Sequence, residues 1–305
     1  MRARMAASPS LVRPSTAFAV ATFGIATFSM MDVLMKGLVE AIGVFDAMLW
    51  RMLLSVPPVA LIWLAARRRW PGLAVMRVHA TRAGVTAVMA LLFFWGLGRV
   101  PLAQGVALTY IAPLLSLFLA ALLLGERIRR RTALASLVAL VGVATILVGQ
   151  ARAELGSDAL WGAVAILLSA ACYAWNIVLM RQQALVADPV EIAFIQTSLV
   201  SLCLLPAAPF LAHVPAAAHW PALAGGAALA ILSTYALSWA YARAEASYLS
   251  AVEYTSFLWA SVFGWWVFGE RLSPFTLAGA ALLVAGCLWA ARVPPGPPQA
   301  EALAA

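Results

Sequence analysis

Residues 100–128 read VPLAQGVALTYIAPLLSLFLAALLLGERI, and residues 248–286 read YLSAVEYTSFLWASVFGWWVFGERLSPFTLAGAALLVAG. Each opens as a long apolar run that reaches a Gly-Glu-Arg tripeptide. Crossing a bilayer as a helix takes about 20 mostly apolar residues, and both runs are long enough. Neither alternates between polar and apolar residues, so helices are predicted rather than barrel strands. Extended outward, residues 99–142 lie on 243–286 with a constant shift of 144 and no gap. Arg99 falls on Arg243, Ala107 on Ala251, Tyr110 on Tyr254, Leu114 on Leu258, Gly125-Glu126-Arg127 on Gly269-Glu270-Arg271, Thr132 on Thr276 and Gly142 on Gly286. The same shift puts Asp32 on Asn176. One extra residue then puts Lys36 on Arg181, Asp46 on Glu191 and Arg51 on Gln196. Single identities between apolar helices mean little. The shared tripeptide, in register over a long ungapped stretch, marks an internal repeat.

The rest of the chain has the same character. Of its 305 residues, 64% are hydrophobic and only 10% are charged. A typical soluble domain has roughly 25% charged residues, so this chain cannot cover a soluble surface. The three cysteines lie in apolar runs, which suits neither a disulfide framework nor a metal site. A net charge of +8 raises a nucleic-acid reading. The arginines, however, stand in short clusters between apolar segments, as in membrane topology, and no nucleic-acid partner is expected.

Ten spans are predicted, at roughly 16–36, 44–66, 80–99, 102–124, 132–150, 160–181, 190–211, 221–242, 247–268 and 274–292. The third is the least secure, because Arg82 and Arg99 bracket it closely. With the N-terminus inside, fifteen arginines face the cytoplasm and three (Arg99, Arg152 and Arg271) face the periplasm. That bias puts both termini inside, and the expected location is a bacterial inner membrane. The predicted organisation is a cytoplasmic tail over 1–15, a five-helix repeat over 16–150 and a periplasmic linker over 151–159. A second five-helix repeat covers 160–292, and a disordered cytoplasmic tail covers 293–305. Five is odd, so the second repeat enters the membrane from the opposite side. Inverted repeats of this kind suit alternating access around a site near the midplane.

The two quoted stretches, together with FSMMDVLMKGL (28–38) and the following Arg51, resemble the drug/metabolite transporter superfamily in its EamA-type branch. The resemblance covers nearly all of residues 16–291. It implies an all-α membrane fold of ten helices in two inverted five-helix repeats. The cavity it implies lies mainly between the first, third, fourth, sixth, eighth and ninth helices. It carries no substrate label onto particular residues.

An ionisable group in hydrocarbon costs several kcal/mol unless it is paired or wet. Asp32 and Lys36 are four apart and share a helix face. Arg51 enters from the same side on the next span, so the three can form one cluster. It reads either as a gate or proton/substrate site, or as a structural ion pair with Lys36 reaching the interface. Glu253 has no basic neighbour within a turn on its own helix. It can exchange a proton as the cavity opens to each side, hold a cationic solute, or pair with a distant arginine. Asn176, Tyr110, Tyr173, Tyr235, Trp239 and Tyr254 supply polar and aromatic cavity walls suited to a flat or amphipathic organic solute. Tyr235 and Trp239 share a face. Pro113 should break its span, and Pro57-Pro58 should kink theirs. Glu126 and Glu270 read as structural: glycine stops the helix, and the acid caps a turn or pairs with a neighbour. The histidines lie near loops and are too scattered for a metal.

No phosphate loop, nucleophile–base set or acid pair appears, so neither an enzyme nor a cofactor is expected. The reading is a secondary transporter of a small organic metabolite or drug, amine- or amino-acid-like, working by alternating access. Proton coupling is expected and export is slightly favoured. The alternatives are an importer of riboflavin or S-adenosylmethionine and, in another class, a flippase for lipid or lipid-linked sugar. The expected partners are the bilayer, the solute and a second copy of the chain in a homodimer.

Overall fold

The computed structural model describes residues 14–66, 70–112, 114–115, 118–119, 130–152, 156–241, 252 and 255–291. These residues are helical throughout apart from short connections. The helices are α1 (Pro14–Ile42), α2 (Val44–Ala65), α3 (Leu73–Leu97), α4 (Leu102–Thr109), α5 (Arg130–Arg152), α6 (Gly156–Val186), α7 (Pro189–Leu204), α8 (Trp220–Tyr241), α9 (Thr255–Phe268) and α10 (Pro274–Ala291). Short helical turns at Leu205–Ala207 and Ala208–Leu211 prolong α7. Among the described residues, six helices are long and apolar enough to span a membrane, and shorter apolar helices accompany them. The architecture is a ten-helix membrane fold of two inverted repeats.

Helix ends follow local chemistry. Gly43, at φ +84°, turns the chain from α1 into α2 in a conformation that a side chain rarely adopts. Asp188 caps α7 by accepting from the Val190 and Glu191 amides at 3.0 and 3.2 Å, and Pro189 follows at the first helical position. Ser273 does the same for α10, again with a proline next. Three boundaries differ from the sequence expectation. α1 runs on to Ile42, so Lys36 is an interior residue and not an interfacial one. α3 starts at Leu73 because Arg77, His79 and Arg82 are accommodated within the helix. α5 reaches Arg152 and α6 begins at Gly156, both within the range 151–159 expected as a linker. The helix of α2 continues through Pro57 and Pro58.

The two repeats are intertwined. α1 packs on α8, α6 on α3, α5 on α10 and α2 on α7. The first two pairings are equivalents of each other under the repeat. Lipid offers no hydrophobic drive for helices to associate, so close backbone approach and interhelical hydrogen bonds do that work. Ser233 Oγ donates to the Gly24 carbonyl at 2.8 Å, tying α8 to α1. Ser169 Oγ donates to the Met89 carbonyl at 2.7 Å, tying α6 to α3. Between α5 and α10 the contact is glycine on glycine. A Cβ at Gly279 would lie 2.6 Å from the Gly142 carbonyl oxygen and 2.5 Å from Ile146. Gly279→Leu should therefore force these helices apart and destabilise the fold by about 2 kcal/mol or more. Gly84, with nothing within 4 Å of its would-be Cβ, should accept alanine without loss. Thermal unfolding of the two variants in detergent measures this contrast.

Candidate functional site

The expected three-charge cluster divides in two. Asp32 and Arg51 face each other from α1 and α2, within electrostatic reach, and both are buried. Arg51 rests over the Phe94 ring and touches the Met48 sulfur at 3.6 Å. Its Cδ would lie 3.5 Å from a Cβ on Gly226 of α8, which leaves room for it. Asp32 Oδ1 and Arg51 Nε are buried and make no hydrogen bond. Buried polar atoms are nearly always bonded, so an unfilled carboxylate oxygen and an unfilled guanidinium N–H on neighbouring helices stand out.

Lys36 turns away from that pair. Its Nζ meets Glu270 Oε1 at 2.5 Å and donates to the Val100 carbonyl at 2.7 Å, with the Phe268 ring 5.1 Å away. Glu270 is set by its own helix end. Gly269 adopts φ +68° as α9 stops, and its amide bonds back to the Trp265 carbonyl at 3.0 Å. Glu270 Oε2 then accepts from the Leu102 amide at 2.7 Å. α4 begins after Pro101, which has no side-chain cap to offer, so the carboxylate of the other repeat serves its N-terminus. Gly264 makes room: a Cβ there would approach Glu270 Oε2 to 2.7 Å.

A second polar network joins α3, α6 and α7. Arg82 Nε donates to Asn176 Oδ1 at 3.1 Å, and Arg82 Nη1 donates to Gln183 Oε1. Thr86 donates to Asn176 at 3.4 Å, and Gln196 Nε2 donates to Thr86 Oγ1 at 3.1 Å. His79, fully buried, meets Glu191 Oε1 at 3.1 Å and Gln183 Nε2 at 2.5 Å. The expectation that His79 lies near a loop is corrected, because α3 begins earlier than its hydropathy suggests. No group of three or more metal-ligating side chains occurs among the described residues.

The network is the repeat equivalent of the Asp32 site. Asn176 stands for Asp32 and Gln196 for Arg51. The shift of 144 puts Arg82 on Gly226, the glycine under Arg51. The cation thus comes from α2 in one half and from α3 in the other. In the second half Asn176 and Gln183 both accept from it, whereas Asp32 leaves an oxygen unfilled.

The remaining expected residues are scattered. Tyr110 Oη shares a hydrogen bond of 2.7 Å with Ser256 Oγ and accepts from the Phe257 amide at 2.9 Å, tying the end of α4 to the start of α9. Tyr173 is half-buried against the main core and within electrostatic reach of Arg82. Tyr235 and Trp239 part company. Tyr235 lines a cleft of about 450 Å³ between α2 and α8, with Leu54, Pro58 and Ile231. Trp239 packs on Ala21, Ile25 and Val252. Glu253, Tyr254, Glu126 and Pro113 lie outside the described residues.

A polytopic helical bundle with inverted repeats and buried, opposed charges between them defines a membrane carrier of small solutes. The EamA-like transporter family model matches the chain twice, over residues 16–148 and 160–292, and the chain belongs to that family. A comparison with curated proteins finds no match. One solved structure, titled only as the crystal structure of a protein, shares 22% identity over 91% of this chain and 98% of its own, with a TM-score of 0.59. That likeness is one of fold.

Loss of the Arg82 guanidinium would leave buried acceptors on Asn176 and Gln183 without their donor. Arg82→Met should lower stability by about 2–3 kcal/mol. Thr81→Ala, one residue away on the exposed face of α3, should leave the melting temperature unchanged in the same measurement.

Proposed function

We propose that this membrane transporter is a secondary carrier of a small amine- or amino-acid-like solute, moved by exchange of its two inverted repeats. The observation that carries the proposal is the buried Asp32–Arg51 pair with an unfilled acceptor and an unfilled donor. In hydrocarbon such a pair is expensive to keep. A solute offering a protonated amine to Asp32 and a carboxylate or carbonyl to Arg51 would fill both vacancies. A proton on Asp32 is the alternative occupant when the solute leaves, which supplies coupling. Glu253 is a second candidate for that role on sequence grounds. The arginine distribution favours both termini inside; a bacterial inner membrane and the direction of export rest on the family resemblance.

The flippase reading needs basic residues along a lateral opening to carry phosphate. The cleft between α2 and α8 has no lysine or arginine in its lining, which favours the soluble-solute reading. Riboflavin and S-adenosylmethionine remain candidate cargoes of the same site.

The test is flux in proteoliposomes loaded with amines, amino acids, riboflavin or S-adenosylmethionine, under an imposed pH gradient. The wild type should respond to the gradient. Asp32→Asn should lose that response, and Arg51→Gln should cut flux about tenfold or more with every accepted solute. Glu40→Gln, at an exposed position on α1, should change neither. Gradient-driven flux that persists unchanged in Asp32→Asn and Glu253→Gln removes proton coupling from the proposal. Thermal-shift screening of the purified protein gives an independent ligand readout.

A further inference from the structure

Arg82, Gln183, His79 and Glu191 form a chain of hydrogen bonds across α3, α6 and α7, and its direction is fixed at both ends. An arginine only donates, and an ionised carboxylate only accepts. Arg82 therefore takes the oxygen of the Gln183 amide, and the amide NH2 is left facing His79 Nδ1 at 2.5 Å. That ring nitrogen has to accept, so the single ring proton sits on Nε2, 3.1 Å from Glu191 Oε1. Every bond points from Arg82 towards Glu191. The charges balance as well: one guanidinium, one carboxylate and two neutral groups between them. His79 and Gln183 are fully buried, whereas Arg82 is only partly so.

A second proton on His79 reverses this chain. On Nδ1 it would face the Gln183 NH2, donor against donor. Half a turn of the amide gives the ring an acceptor again, but it sets the NH2 against Arg82 Nη1. Gln196 can follow the turn, because the Thr86 hydroxyl between it and Asn176 both donates and accepts. Arg82 has no acceptor form and cannot follow. It keeps Asn176 on Nε at 3.1 Å and loses its acceptor on Nη1. The same proton leaves the cluster with one positive charge in excess, which is costly in hydrocarbon. A single anion placed at Arg82 answers both demands.

The neighbouring charges do not supply that anion. α6 brings Tyr173, within electrostatic reach of Arg82 and, as a phenol, uncharged near neutral pH. α7 brings Glu191 itself and Asp188, whose Oδ1 is engaged by the Val190 and Glu191 amides. On α3, Arg77 is exposed. α4 has no ionisable side chain. α2 presents Arg51, with Asp32 of α1 beside it, at Phe94, about four turns along α3 from His79. Lys36 of α1 reaches Val100, beyond the end of α3.

We propose that Arg82 is a carboxylate-binding site that becomes available when His79 takes a second proton, so that the proton and the anion are bound together. The ligand class is a small organic acid. His79 and Gln183 are positioning residues, and only Arg82 touches the carboxylate. The site is separate from the Asp32–Arg51 pair, goes beyond the carrier reading and does not depend on it.

Acetate is the probe, added to the purified full chain in detergent, with chloride at equal ionic strength as the reference. Binding is read from the rise in melting temperature. It should be about fivefold tighter or more at about pH 5.5 than at about pH 7.5, values that bracket an ordinary histidine. His79→Gln can still donate to Glu191 but takes no proton, so its acetate binding should be weak and equal at both values. Gln183→Met removes the competing acceptor and should bind acetate more tightly than the wild type at the higher pH; it decides the matter if His79→Gln does not fold. Arg51→Gln should keep the wild-type pH dependence. With His213→Gln and His219→Gln, His79 is the single histidine, and nitrogen resonances of labelled histidine should show the proton on Nε2 at high pH and a second one on Nδ1 on acidification. The proposal is overturned if the lone proton sits on Nδ1, if no second proton is gained, or if chloride does as much as acetate. It is also overturned if the pH dependence survives in His79→Gln or vanishes in Arg51→Gln. A wild type that moves no solute in liposomes while keeping this binding sinks the carrier reading alone.

Discussion

In the middle of a bilayer a polar atom has only the protein to bond to, and this constraint organises the whole molecule. Backbone groups are met within helices. Side-chain donors and acceptors must be met between helices, and here they are met mostly between repeats. Ser233 reaches across to Gly24, Ser169 to Met89, Tyr110 to Ser256 and Glu270 to Lys36 and Leu102. Glycine contacts such as Gly142 on Gly279 bring backbones close enough for the remaining attraction, which is dispersion. Several of the bonds that satisfy one repeat are therefore supplied by the other. Motion of one against the other must rearrange these bonds as sets.

Within that frame, Asp32 and Arg51 are the two charged residues that face each other with an unfilled acceptor and an unfilled donor. Ser198 and Tyr235 also carry an unbonded hydroxyl, but the second half-site shows how the charged and amide groups of the same location can be joined. Asn176, Gln183, Gln196, Thr86 and Arg82 form a continuous neutral-plus-cation network, and His79 with Glu191 extends it. A scaffold able to saturate one half leaves the other half with an unfilled oxygen and an unfilled N–H. This contrast within a single chain sets the Asp32 location apart from its repeat equivalent.

The fold was legible because its signals are long-range in composition and short-range in position. Twenty-residue apolar runs, arginine clusters and one tripeptide in register define helices, sidedness and duplication. The partner choices of individual side chains were not legible in the same way. Lys36 is four residues from Asp32 on one helix, and spacing alone assigned the two to one cluster. Packing instead delivered Glu270 from the far end of the sequence, 234 positions away, to the lysine. His79 looked like a loop residue because Arg77 and Arg82 lower the local hydropathy. Those charges sit within α3, and Arg82 is accepted there by amides from α6. Spacing placed Tyr235 and Trp239 on one face, yet a helix face spans two environments when it lies between α1 and α2. Sequence periodicity reports which way a residue points, not which neighbour arrives there.

The glycine beneath Arg51 has a consequence for how the molecule behaves at rest. Where the first half offers Arg82 from its third helix, the second offers Gly226, and the guanidinium over that glycine comes from α2. Both guanidinium groups thus belong to the first repeat, and the second repeat has Gln196 and Gly226 in their places, so exchanging the shapes of the halves does not regenerate the same molecule. A perfectly twofold carrier would spend equal time facing either compartment. With Asp32, Arg51 and Gly226 at one half-site and Asn176, Gln196 and Arg82 at the other, this chain lacks that symmetry.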